Sequence, residues 1–234
     1  MGTMGHGYGS EFHLLRYLGY HRRDLNRAVE QQAGGRVLVW LDFAFDPRRE
    51  FPHLDAESKG LDFLDPEVGV RAAWQKFWPQ TGNVPNWDAV GLLQAKSHVE
   101  FLLVEAKAHA SELKSTCGAS EDGGLPKIRA ALAETIKANG LTADPEKWLG
   151  PYYQYANRLA HLHFLVQHNI SARLVFIYFL GDNWRGEALP NRESVVCPKD
   201  EQEWNPYLWD MYSHLGLSGV SRLEQRVHRV FLPV

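Results

Sequence analysis

The sequence predicts an α/β fold, and three observations carry that prediction. Segments with apolar residues at helical spacing alternate with short apolar runs of strand length. Two of those runs, at 86–93 and 101–107, flank the polar stretch 94–98 and read as the strands of a hairpin. A third run, at 172–180, is apolar almost throughout and follows a long helical pattern, as an interior strand covered on both faces does.

In chain order, residues 1–10 form a Gly-rich, flexible arm. Residues 11–32 read as one helix, with Leu14, Leu15, Leu18, Leu25 and Val29 at roughly helical spacing and Gly34-Gly35 as its stop. Arg22, Arg23 and Arg27 on it are either phosphate contacts or a solvated polar face. Residues 36–45 read as a strand ended by Asp46-Pro47, with Asp42 as a polar position or a ligand. Asp65-Pro66-Glu67 opens a helix, because Asp caps and Pro suits the first helical position. That helix carries Val68, Ala72, Trp74 and Phe77 and stops at Pro79. Residues 115–124 are small and polar and read as a mobile loop. Residues 125–139 form a helix inserted before the later core, a cover for a cleft. In the helix at 152–168, Tyr155, Leu159, Leu162, Leu165 and Val166 make a buried stripe. Gln154, Asn157, Arg158 and His161 gather on another face. A helix at 204–215 and a strand at 227–232 close the chain. Residues 11–234 are expected to form a single domain.

Composition bounds the function. With 234 residues, 44% of them hydrophobic and 12% aromatic, the chain can bury a sizeable core. Eight Trp and nine Tyr serve packing and can also stack on bases. A net charge of −3 is unlike that of a strongly basic nucleic-acid binder, although a local basic groove is invisible in a sum. Cys117 and Cys197 make no disulfide framework, and the start has no apolar signal region, so a reduced cytoplasmic setting is expected. No run approaches the length of a membrane span. There is no phosphate-cradling Gly loop, no Gly-x-Ser-x-Gly turn and no zinc spacing among the histidines.

The chemistry concentrates in the hairpin. Side chains alternate faces along a strand, so Glu105 and Lys107 share one face and Val104 and Ala106 the other. If the strands pair, Asp88 approaches Glu105 across the sheet. Two carboxylates with a lysine suit a hard divalent cation that holds a substrate phosphate, with the lysine orienting a water or offsetting phosphate charge. That set points to metal-assisted hydrolysis of a phosphodiester. The competing reading is a turn Asp and an exposed same-face Glu/Lys pair.

This pattern resembles the PD-(D/E)xK nuclease superfamily, the restriction-endonuclease-like fold. Asn86-Trp87-Asp88 stands where that family has its "PD", with the proline displaced to Pro85, and Glu105-Ala106-Lys107 matches the "ExK". The match covers residues 65–181, about half of the chain. It implies a mixed sheet flanked by helices, with the N-terminal helix and a C-terminal elaboration outside the core. The implied core order is a helix, a sheet carrying the Asp and then the Glu-x-Lys, a second helix and a further strand. The resemblance also implies Mg²⁺ or Mn²⁺ held by Asp88, Glu105 and the backbone carbonyl of Ala106, with Glu67 as an additional ligand. Lys107 would position the attacking water, giving a 5′-phosphate and a 3′-hydroxyl. The implied partner is nucleic acid, DNA ahead of RNA, with a homodimer as a further option. Gln154, Arg158 and His109 are the substrate-facing candidates. The Gln-xxx-Tyr motif of some branches is not matched, because Arg158 stands where its Tyr would be. That departure and the acidic balance favour a second reading, a nuclease-like fold without catalysis that serves as a binding or assembly module. The complete trio favours the first, since converging carboxylates repel unless a cation lies between them.

Overall fold

The computed structural model describes residues 8–41, 58–65, 69–82, 84–182 and 195–234. In chain order its strands are β1 (Arg36–Trp40), β2 (Ser58–Lys59), β3 (Asn86–Trp87), β4 (Ala89–Gln94), β5 (Val99–Lys107), β6 (Ala172–Leu180) and β7 (Val227–Pro233). Six α-helices lie among the described residues: α1 (Ser10–Gly19), α2 (Arg22–Ala33), α3 (Arg71–Phe77), α4 (Leu125–Ala138), α5 (Tyr153–Gln167) and α6 (Glu201–Leu215).

The α/β fold is built on a five-stranded mixed sheet with the order β1-β4-β5-β6-β7. β4 pairs antiparallel with β1 and with β5, so the expected hairpin forms, closed by Ala95 N–H donating to the His98 carbonyl at 2.9 Å. β6 runs parallel to β5, which requires a long crossover, and the chain from the end of β5 through α4 and α5 supplies it. β7 adds in parallel beyond β6, leaving β6 interior as its apolar run predicts.

Alternation along the strands divides the core in two. Leu103, Leu174, Phe176 and Tyr178 point to one face, where α3, α4, α5 and α6 pack. Leu102, Val104, Ala106, Val175, Ile177 and Phe179 point to the other, against Leu14 and Leu18 of α1 and Leu25 and Val29 of α2. Glu105 and Lys107 share the face of Leu103 and so look toward α5. At the opposite end of β5, buried Glu100 is held by Arg173 and by His98 at 2.7 Å, while Arg173 also donates to the Ala33 carbonyl at 2.7 Å. This ion pair ties β5 and β6 to the end of α2.

Several boundaries differ from the sequence reading. The expected helix over 11–32 is two helices, broken at Tyr20-His21. Arg22 Nε donates to the Leu18 carbonyl at 2.6 Å at the break, which lets both apolar faces reach the same sheet face. The helix expected from Asp65 starts at Arg71, because Gly69 has φ 76° and no helix passes through a left-handed residue. Glu67 and Asp42 lie outside the described residues, as do 42–45 of the expected first strand. The loop expected to be mobile at 115–124 is pinned at its start. Cys117 N–H donates to the Leu149 carbonyl at 2.8 Å, and Ser115 forms a bridge with Tyr152. The last helix begins earlier than expected, at Glu201, capped by the Asp200 side chain accepting from Glu203 N–H at 2.9 Å. Both cysteines are free. Among the described residues no helix is long and apolar enough to cross a membrane.

The pairing of β1 with β4 depends on one missing side chain. A Cβ at Gly91 would lie 2.8 Å from the Trp40 ring and 3.1 Å from the Val39 carbonyl oxygen. Gly91→Val is expected to lower the unfolding free energy by about 1–3 kcal/mol through overpacking, measured by urea denaturation, whereas Gly118→Val at an open position leaves it nearly unchanged.

Candidate active site

Asp88 occupies the joint between β3 and β4. Its N–H donates to the Val104 carbonyl at 3.1 Å, and its Oδ2 accepts from Ala106 N–H at 2.7 Å. Both anchors are on β5, which locks the side chain against that strand. The N–H and C=O of one strand residue point toward the same neighbour. The Ala106 carbonyl therefore lies on the Asp88 side, beyond the last paired residues Ala89 and Val104.

Glu105 is almost entirely enclosed, at 2% exposure. Its Oε1 accepts from Lys107 Nζ at 2.6 Å. Its Oε2 accepts twice from Arg158, from Nε at 2.9 Å and Nη2 at 2.7 Å. Arg158 is itself 3% exposed and is held on every side. It donates to Asn157 Oδ1 at 2.8 Å and to the Asn86 carbonyl, and its guanidinium lies 4.9 Å over the Trp87 ring. Lys107 makes a second bond to Gln154 Oε1 at 2.8 Å, while Gln154 N–H donates to Ser115 Oγ at 2.7 Å. Both cations come from where geometry requires them: Lys107 from two residues along β5, Arg158 and Gln154 from one turn of α5.

The two carboxyls respond to this setting in opposite directions. Burial and the nearby Glu105 charge push Asp88 up to about 7, although Lys107, the Ala106 N–H and Arg158 oppose the shift. Burial would also raise Glu105, but Arg158 and Lys107 outweigh it and hold Glu105 below the usual carboxylate range. Glu105 is thus the permanent anion, and Asp88 gains or loses its proton near neutrality. With Asp88 ionised, two carboxylates face two cations and the cluster is formally neutral.

A cleft of about 700 Å³ opens beside the cluster. Asp88, Gln154, Asn157 and Arg158 line it, with Pro79, Thr81, Val84 and Pro85 on one wall and 115–120 on the other. Arg158, expected to face substrate, lines the cleft while its Nε and Nη2 both donate to Glu105. His109 bonds Ser111 Oγ at 2.8 Å and Glu112 at 3.1 Å and is not part of the cleft lining, since β5 ends at Lys107 and the chain turns away. His161, expected on the polar face of α5, is fully buried. It sits amid Trp74, Trp78 and Trp87, and burial holds it neutral with its pKa lowered to about 3.

Asp88, Glu105, Ala106, Lys107, Gln154 and Arg158 therefore converge, while Glu67 lies outside the described residues. Trp87 and Ser115 were not anticipated as parts of the site. The adjacency of Trp87 to Asp88 was a usable signal, whereas nothing in the spacing of Ser115 points to α5. Among the described residues no group of three or more His, Cys, Asp and Glu side chains forms a metal site. Oxygen atoms at this place are the Asp88 and Glu105 carboxylates and the Ala106 carbonyl, a hard set of the type Mg²⁺ or Mn²⁺ takes, but both Glu105 oxygens already accept from Lys107 and Arg158, and only Asp88 of the two carboxylates lines the cleft. Compared with protein-family models, curated proteins and solved structures, the chain matches none.

Two outcomes are expected. In metal-free buffer Asp88 keeps its proton in the folded state up to about 7 but loses it near 4 when unfolded. Stability therefore falls as pH rises through that window and levels off above it. Asp88→Asn removes this loss, so its unfolding free energy by urea denaturation should exceed that of the parent by a margin that grows from pH 4 to pH 8, reaching about 1–3 kcal/mol. Arg158→Met strands a buried carboxylate and should cost about 3–5 kcal/mol. Adding Glu105→Gln should return most of it in a double-mutant cycle followed by denaturant unfolding.

Proposed function

We propose that this chain is a metal-dependent nuclease of the restriction-endonuclease-like type, hydrolysing phosphodiester bonds of DNA. The observation that carries the reading is the convergence at one end of β5 of the Asp88 and Glu105 carboxylates, the Ala106 backbone and the Lys107 ammonium. The order α3, β4, β5, α5, β6, with α4 inserted between β5 and α5 and β6 parallel to β5, supports it as well. That order has a helix, a sheet carrying the Asp and then the Glu-x-Lys, a second helix and a further strand.

Asp88, Glu105 and the Ala106 carbonyl would hold the metal, which when bound supplies Lewis acidity and a water of lowered pKa. Lys107, fixed between Glu105 and Gln154, orients the water and offsets charge on the phosphate. The water oxygen bonds to phosphorus as the bond to the 3′ oxygen breaks. One water proton leaves to solvent, and the 3′ oxygen takes up a proton, leaving a 5′-phosphate and a 3′-hydroxyl. Arg158 keeps Glu105 ionised and fixed in plane, and Gln154 holds Lys107.

Because the cluster is formally neutral, a divalent cation alone meets little net attraction. The phosphate brings the missing negative charge, so metal and substrate bind together. Mn²⁺ titration is expected to show weak binding that tightens when a DNA oligonucleotide is present, and that is lost in the Asp88→Ala, Glu105→Ala variant. Lys107→Met should lower Mn²⁺-dependent cleavage by about 10²–10⁴-fold. The saturation of Glu105 by Arg158 and Lys107 favours a second reading, a non-catalytic binding module. DNA binding without Mn²⁺-dependent cleavage on linear, circular, single- and double-stranded substrates would select it.

A further inference from the structure

The turn between α1 and α2 concentrates positive charge. Residues 16–27 hold four arginines against one aspartate, in a chain whose net charge is −3. Folding uses only part of that set. Arg22 Nε donates to the Leu18 carbonyl at 2.6 Å and braces the break, and Arg16 lies over the Phe12 ring at 5.8 Å. Arg27 is 3.7 Å from Asp24 with both side chains largely in solvent, a pairing that contributes little to stability. Arg23 is exposed and has no hydrogen bond or ion pair among the described residues. It also stands in the first turn of α2, where the helix dipole disfavours a cation. Arg23 and Arg27 are four residues apart and so share one face of the helix.

Beside these arginines Tyr20 is 87% exposed. Its ring stands edge-to-face with His21, 4.9 Å between centroids, which leaves a ring face open. Tyr20, His21, Arg22, Arg23 and Arg27 line one open hollow on the surface. Guanidinium groups beside an open aromatic face suit single-stranded nucleic acid: the cations meet phosphates and an unstacked base lies on the ring. A membrane surface fits less well, because it needs buried apolar area. Tyr20 is the only exposed large apolar side chain among residues 10–33. Tyr17 fixes the place, its Oη donating to the Pro233 carbonyl at 2.7 Å. Pro233 pairs with Leu180, two residues beyond the pairing of Tyr178 with Lys107. The turn therefore stands at the end of the sheet that carries Lys107, two strands across and on the opposite face. From there it meets a part of the strand away from the phosphate under attack.

Resting on the nuclease reading, we infer that the α1–α2 turn is a second, metal-independent contact for single-stranded nucleic acid. Arg23 and Arg27 take neighbouring phosphates, and a base stacks on Tyr20. The full chain in EDTA should bind a labelled single-stranded oligothymidylate, followed by fluorescence anisotropy over a range of salt concentrations. The Arg23→Gln, Arg27→Gln variant, with its melting temperature retained, should bind about tenfold more weakly near physiological salt, and its slope of log affinity against log salt should be shallower by about 1.4. Tyr20→Ala should weaken binding by about 5–150-fold and leave the slope unchanged. Parental affinity and slope in the folded variants, no binding by the parent, or losses seen only against phosphatidylserine vesicles overturn the inference. Mn²⁺-dependent cleavage by the parent, measured alongside, leaves the nuclease reading standing in any of those cases. Its absence together with the expected binding losses overturns that reading alone.

Discussion

A carboxylate at the centre of a sheet face is the constraint on which the rest of the structure depends. Glu105 has almost no contact with water, and an ion so placed survives only when paired and fully hydrogen-bonded. The pairing requires Lys107 on the same face of β5 and Arg158 from α5. That sets the rotation of α5 over the sheet, because Arg158 cannot reach Glu105 from any other face of the helix. The guanidinium then needs a floor, which Trp87 forms, and an acceptor for its remaining donors, which Asn157 and the Asn86 carbonyl supply. A helix with every residue from Tyr155 to Leu165 buried is the consequence. Over that stretch it has no solvated face, because Arg158 is spent on β5, His161 on the Asn157 carbonyl of the helix itself and His163 on Asn139 beside α4.

The same network separates two carboxyls of similar intrinsic acidity. Glu105 has two cations on its oxygens, whereas Asp88 has one backbone N–H and a neighbouring negative charge. One is a fixed anion and the other a group poised near neutral pH, a division of states common where chemistry is done. The formal neutrality of the cluster adds a second property. Two carboxylates and two cations so close together leave the cluster little net field for a lone cation.

Packing on both faces of the sheet keeps the site rigid. α1 and α2 cover one face through Leu14, Leu18, Leu25 and Val29, and the Glu100–Arg173 pair fixes the relation of β5 to β6 at the end remote from Asp88. On the other face the segment between β5 and α5 folds back as α4 and meets the loop after α3. The strand end that carries Asp88 and the start of α5 therefore open into a walled cleft, not onto a flat surface.

The sequence by itself determined the hairpin, the interior strand and the long helix before it. Those features follow from local rules: alternation in 101–107, unbroken apolarity in 172–180 and helical spacing in 152–168. It also determined that Asp88, Glu105 and Lys107 belong together, because a hairpin with a polar turn at 94–98 brings the start of one strand to the end of the next. Only the tertiary structure decided what Arg158 and His161 do. Spacing placed them with Gln154 on a polar face, and polarity reads as solvent exposure until a buried partner is known; Glu105, 53 residues away, is that partner for Arg158. The break between α1 and α2 and the late start of α3 were likewise invisible, since a bend at Tyr20-His21 and a left-handed Gly69 answer to packing across the sheet. The close approach of Pro79 to Gly124 beside the cleft joins segments 45 residues apart, and no local pattern encodes a contact at that separation.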